Sequence, residues 1–88
     1  MKIKVEIKSV YNGFKNPLRA IAVIIISDCF IIKSVRLVEG RKGLFVSMPA
    51  KRNADDEFIE QCHPITAECK RQIDEAVIEA YHDFLSAQ

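Results

Sequence analysis

Tryptophan is absent from this 88-residue chain, and glycine, proline and cysteine occur only three times each. Three glycines cannot supply a glycine-rich phosphate loop, and none stands at the spacing such a loop requires. The cysteines, Cys29, Cys62 and Cys69, are odd in number and contain no Cys-x-x-Cys pair. Cys62, His63 and Cys69 together are one ligand short of a closed zinc site. Reduced thiols acting as small buried hydrophobes are the expected state. Long apolar runs are also missing. The longest, residues 20–26, is far below the ~20 residues that cross a bilayer. The first residues alternate charged and apolar side chains, unlike the 7–15-residue apolar core of a secretory signal. A cytoplasmic protein is therefore expected, with no membrane partner. Histidine is scarce too. Cys62, Cys69, His63 and His82 are the candidate nucleophiles and bases, but nothing marks any of them as a pair, so no catalytic arrangement is expected. Asp55, Asp56, Glu57 and Glu60 do not follow the spacing of a calcium loop. No metal, cofactor or small-molecule substrate is implied.

What is present is enough apolar material for one folded unit, 49% of residues. A domain this small buries only about 60–65% of its unfolded surface, which leaves a lone copy marginal. The formal net charge of +1 hides a division along the chain. Residues 1–52 hold eleven Lys or Arg against three acids, a net of +8. Residues 53–88 hold two basic residues against nine acids, a net of −7. Such asymmetry is compatible with a polyanion-binding surface, and equally with two halves that neutralise each other.

Residues 2–10 alternate strictly, with Ile3, Val5 and Ile7 on one side and Lys4, Glu6 and Lys8 on the other, the period of a half-buried strand. Asn12-Gly13 and Asn16-Pro17 are turn chemistry. Residues 18–27 predict a second strand, apolar on both faces, and residues 30–38 a third, joined to it by a hairpin. Residues 40–43 predict a turn and 44–48 a short fourth strand stopped by Pro49. Residues 50–57 read as a polar loop, and 58–62 as a short edge strand. Thr66 is a suitable N-cap for a helix running from Ala67 to about Leu85, with Glu68 at its positive end. Cys69, Ile73, Ala76, Val77, Ala80 and Phe84 form its apolar stripe, with Ile78 and Leu85 on the opposite side. The expected fold is α+β: a small, mostly antiparallel sheet of four to five strands carrying one C-terminal amphipathic helix. One helix covers one sheet face, yet the second strand is apolar on both. A second copy of the chain is the expected cover, with the 49–65 segment as the alternative.

Six of the thirteen cations fall in three adjacent pairs. Lys51-Arg52 follows the rigid Met48-Pro49, and Arg41-Lys42 lies one short strand earlier. A five-residue strand spans roughly 17 Å, so the two pairs belong to its opposite ends and are spaced to meet separate phosphates. Lys70-Arg71 sits in the first turns of the helix, where the dipole disfavours cations. This placement suits either an anion or i,i+4 pairs with Asp74 and Glu75. Stacking on single-stranded bases would need an exposed aromatic beside such cations, and Tyr11, Phe14 and Phe45 are the nearest in sequence.

Gly43-Leu44-Phe45-Val46-Ser47-Met48-Pro49-Ala50-Lys51-Arg52, followed by Glu57-Phe58 and His63-Pro64-Ile65, resembles the signature of the SpoVG family of bacterial proteins. Arg19-Ala20-Ile21-Ala22, Val35-Arg36-Leu37-Val38 and the segment from Ile73 to Tyr81 extend the likeness over nearly the whole chain. One departure is Asp56, which stands where the family pattern has glycine. The resemblance implies a cytoplasmic α+β dimer that binds DNA, and in some members RNA, and regulates gene expression in septation and sporulation. Carried over by position, it favours Lys51 and Arg52 as nucleic-acid contacts, then Lys70 and Arg71. A reading of another class is a protein-interaction module that docks a basic partner through Asp74, Glu75, Glu79 and Asp83.

Overall fold

A computed structural model describes residues 1–13 and 15–87. Phe14, one of the aromatic candidates above, lies outside the described residues. Strands β1 (Ile3–Val10), β2 (Leu18–Ile26), β3 (Phe30–Gly40) and β4 (Gly43–Ser47) form an antiparallel meander in the order β1-β2-β3-β4. Two further strands, β5 (Ala50–Arg52) and β6 (Phe58–Glu60), pair only with each other, and α1 (Ala67–Ser86) follows.

Alternation in β1 works as its sequence dictates. Ile3, Val5 and Ile7 pack on the core, while Lys4, Glu6 and Lys8 are exposed on the other side. Ala20, Ile24, Val35 and Leu37 are fully buried between the sheet and α1. The β2–β3 hairpin turns through Ser27 and Asp28, both at positive φ (53° and 56°), as a type I′ turn requires of its two central residues. The Cys29 amide donates to the Ile26 carbonyl and closes it. In β3 a bulge around Ser34, itself at φ 61°, shifts the register so that Val35 and Leu37 point inward and Arg36 outward.

Thr66 caps α1 as expected. Its backbone is extended and its hydroxyl accepts a hydrogen bond from the Cys69 amide at 3.0 Å. The buried residues of the helix are Ile73, Val77 and Tyr81, one i,i+4 row. This places Tyr81 in the core in preference to its neighbour Ala80, which is half-buried. Ile78, expected on the far side, is half-buried against the core, whereas Leu85 is 41% exposed. The helix lies across β1, β2 and β4, so its apolar strip is wider than a single row.

Residues 50–57 are not a continuous loop. Ala50–Arg52 form a strand, paired Ala50 to Glu60, Lys51 to Ile59 and Arg52 to Phe58. Period two is invisible in three residues, and the pairing partner lies beyond a five-residue turn. The expected edge strand at 58–62 is found at Phe58–Glu60, but it belongs to this small hairpin and not to the main sheet.

Candidate nucleic-acid interface

The β5–β6 hairpin is solvent-exposed at every strand residue except the half-buried Ala50. A two-stranded hairpin alone is marginal in water, so its anchors matter. At the root Met48 is buried, 4% exposed, and the Gln61 amide donates to the Pro49 carbonyl. At the tip Asn53 organises the turn. Its side-chain oxygen accepts from the amides of Asp55 and Glu57, and its carbonyl accepts from the amide of Asp56. Asp56 has φ 65°, a backbone region that favours glycine and tolerates Asp and Asn best among the rest. The position where the sequence resemblance expects glycine is thus left-handed in this chain and filled by aspartate.

That aspartate changes Arg52. The two form an ion pair at 3.4 Å, and the Arg52 guanidinium also lies 4.9 Å above the ring of Phe58, its cross-strand partner. Lys51 points to the other side of the ribbon with Ile59. Arg41 and Lys42 stand exposed in the β3–β4 turn, at the far end of β4 from the hairpin, as their spacing predicts. Arg36, opposite Ser47, lies at the hairpin end of β4. Sequence reasoning misses Arg36. Its signal is the alternation around Val35 and Leu37, which the bulge at Ser34 obscures.

The ion pairs divide these cations into two sets. Among the described residues, no carboxylate lies within 4.0 Å of Lys33, Arg36, Arg41, Lys42 or Lys51. At the helix start, by contrast, Lys70 is paired with Asp74, and Arg71 with both Glu68 and Glu75. Arg71 and then Gln72 hold the Glu68 carboxyl below its usual range, and Glu68 with Glu75 raises the Arg71 guanidinium above its own. Both helix cations are therefore ion-paired, whereas of the hairpin pair only Arg52 is.

The layers also separate charge. Exposed acids Glu68, Glu75, Glu79 and Asp83 lie on α1. The sheet face away from α1 carries Lys4, Lys8 and Arg36, with Glu6 paired to Lys8 and Asp28 to Lys4. Folding does not bring the acidic helix over that face. Exposed aromatics stand beside the cations: Phe58 is 64% exposed and Phe45 48%. Phe45 rests on Gly40, where an added Cβ would come within 2.9 Å of the ring. Tyr11 is 39% exposed. Cys62, His63 and Cys69 line one apolar cleft of 210 Å³ with Met48 and Ile73, and among the described residues no cluster of His, Cys, Asp or Glu converges to hold a metal. No described helix is long and apolar enough to cross a membrane.

A two-layer α+β domain with an exposed hairpin that carries Lys51 and Arg52 beside four acids, and with no metal cluster among its described residues, is the class this geometry defines. The SpoVG family model matches residues 1–83, and the chain belongs to the SpoVG family. It is 40% identical over 77 residues to a relative from Desulforudis audaxviator, covering 88% of this chain and 85% of that one. To a Treponema denticola relative it is 40% identical over 78 residues, covering 89% and 82%. To one from Phytoplasma australiense it is 35% identical over 75 residues, covering 85% and 77%. All three carry the name septation protein SpoVG.

Proposed function

We propose that this chain is a non-catalytic, nucleic-acid-binding regulator that grips the phosphate backbone of DNA or RNA with the β5–β6 hairpin and the adjoining edge of the sheet, in processes connected with septation. The observation that carries this reading is the partition of cations. Arg36, Arg41, Lys42 and Lys51 lack a carboxylate partner among the described residues and follow β3, β4 and β5. Cations already paired gain little from a phosphate, because the internal partner must first be given up. Unpaired ones neutralise phosphate directly and release its counterions.

A second copy fits the apolar remainder of the open sheet face. There the hairpin borders Ile21 through Phe58, but Ile31 stays 49% exposed. Solution mass by light scattering tests the dimer. The reading as a protein-docking module is less favoured, since Asp74 and Glu75 are already engaged by Lys70 and Arg71.

The test compares Lys51→Ala/Arg52→Ala with Lys70→Ala/Arg71→Ala, titrating labelled DNA and RNA at several salt concentrations. The hairpin double variant is expected to bind more weakly, with the salt slope reduced by about one unit for each phosphate that it no longer neutralises. The helix variant is expected to weaken less. A larger effect in the helix variant moves the binding surface to the helix start, and a wild type indifferent to both polymers ends the nucleic-acid reading.

A further inference from the structure

Phe58 is in an unusual setting for a large apolar side chain. It occupies a three-residue strand with no buried member, and it remains 64% exposed. Burying a phenylalanine is worth about 1.5–3 kcal/mol, a gain that this position largely forgoes. The ring is nevertheless held in place. Its cross-strand partner Arg52 stacks a guanidinium 4.9 Å from the centroid, and the backbone beneath is fixed by the Asn53 turn. With one face under Arg52, the accessible surface is the other face and the edge. Phe58 also lines a 230 Å³ groove together with Ile21, Ser34, Arg36, Pro49 and Ala50.

We propose that this groove holds one unpaired nucleobase, stacked on Phe58, so that the chain favours single-stranded over duplex nucleic acid; the inference rests on the nucleic-acid reading above. Three features select that occupant. The groove is smaller than the roughly 300–1,000 Å³ of pockets that enclose drug-sized ligands, and so suits a single planar ring system. Its floor is apolar at Ile21 and Pro49, its polar groups are the Ser34 hydroxyl and the Arg36 guanidinium, and Arg36 has no carboxylate within 4.0 Å among the described residues. A cation at the rim complements the phosphate that a flipped-out base carries with it. Only an unpaired base offers its face, because in a duplex both faces are covered by neighbouring pairs. The aromatic contact is tolerant of base identity, since every base has a π-face, and any sequence preference would come from Ser34 and Arg36 at the base edge.

The test measures Phe58→Leu, Phe58→Tyr and wild type against a labelled single strand and the duplex of the same sequence, at fixed salt and across a salt series. A strand carrying 2-aminopurine reports stacking directly through quenching. Phe58→Leu is expected to weaken single-strand binding by about 5- to 150-fold, the range that ~1–3 kcal/mol of stacking per base represents. It should leave the salt slope and the duplex affinity unchanged, and Phe58→Tyr should restore both affinity and quenching. If Phe58→Leu lowers single-strand and duplex binding equally, the ring serves only the hairpin and the proposal fails. It also fails if wild type binds duplex alone, although the nucleic-acid reading then survives. Absence of binding to either polymer overturns both together.

Discussion

Asp56→Gly should tighten nucleic-acid binding, and the structure says by how much and through which residue. In the present chain a phosphate must compete with the Asp56 carboxylate for Arg52, 3.4 Å away. The pair is open to solvent, with the side chains 59% and 81% exposed, so its strength lies in the range of about 0.2–1 kcal/mol measured for such pairs. Removing the carboxylate returns that amount to the phosphate contact, a gain of about 1.4- to 5-fold in affinity. The same change relieves the left-handed backbone at φ 65°, so the turn keeps its shape with glycine. Anisotropy titrations from about 50 to 200 mM salt would show the gain together with a salt slope steeper by up to about 0.9, one more phosphate neutralised. The control is the double variant Arg52→Ala/Asp56→Gly. If that variant gains as much as Asp56→Gly alone, the effect does not pass through Arg52. If Asp56→Gly binds no more tightly than wild type, the competition argument is wrong.

Two further outcomes concern stability. Val77 is fully buried at the centre of the helix row, and Val77→Ala should cost about 2 kcal/mol, lowering the thermal midpoint by roughly 8–16 °C for a domain of this size; a drop of only a degree or two in a circular-dichroism melt would show that α1 does not seal the core. Asp28 is held below the usual carboxylate range by Lys2, at 2.6 Å, and then by Lys4. A carboxyl with a depressed folded-state pKa contributes stability that is present above its ordinary value near ~4 and is lost as pH falls through the folded value. Asp28→Asn tolerates the same positive φ, so its melting temperature should decline less than wild type as pH falls below about 4, by a small margin because the pairs are exposed and screened. Parallel declines would remove Asp28 from the acid response.

The parts of this fold that announce themselves in the sequence are those with a period to repeat. Six residues of alternation, Ile3 to Lys8, specify β1, and twenty residues of helical spacing behind Thr66 specify α1. The hairpin β5–β6 has neither. Three residues cannot display a period, and what defines the unit is the side chain of Asn53 bonding to amides two and four residues on. Arg36 is hidden for a related reason, because one extra residue at Ser34 moves every later side chain in β3 to the other face. Phe58 is hidden because an apolar residue reads as core until its surroundings are known. For the helix cations the local rule is sufficient. The i,i+4 spacing of Lys70 to Asp74 and Arg71 to Glu75 already names their partners, and the remaining bond, Arg71 to Glu68, is an i,i+3 contact of the same kind.

The charge division along the chain acquires meaning only through the topology. A sequence with +8 in one part and −7 in the other can fold so that the fields cancel. Here the basic part supplies the four-stranded sheet and β5, and the acidic part supplies the helix together with the β5–β6 turn and β6, which carry four of its nine acids. A helix packed on one sheet face buries its apolar row and turns its acids to the solvent beyond. The sheet's cations are then left on the opposite face and along the β3–β4–β5 edge, with the thickness of the core in between. At physiological ionic strength the Debye length is about 8 Å, whereas a helix packs on a sheet at a distance near the ~10 Å of layered structures. The helix acids therefore do little to weaken the potential over the basic face. The net charge of +1 thus conceals cations on one sheet face opposite an acidic helix. Among the described residues, Asp56 is the acid that pairs with a cation of the β5–β6 hairpin, which makes its removal the direct test of the proposed contact.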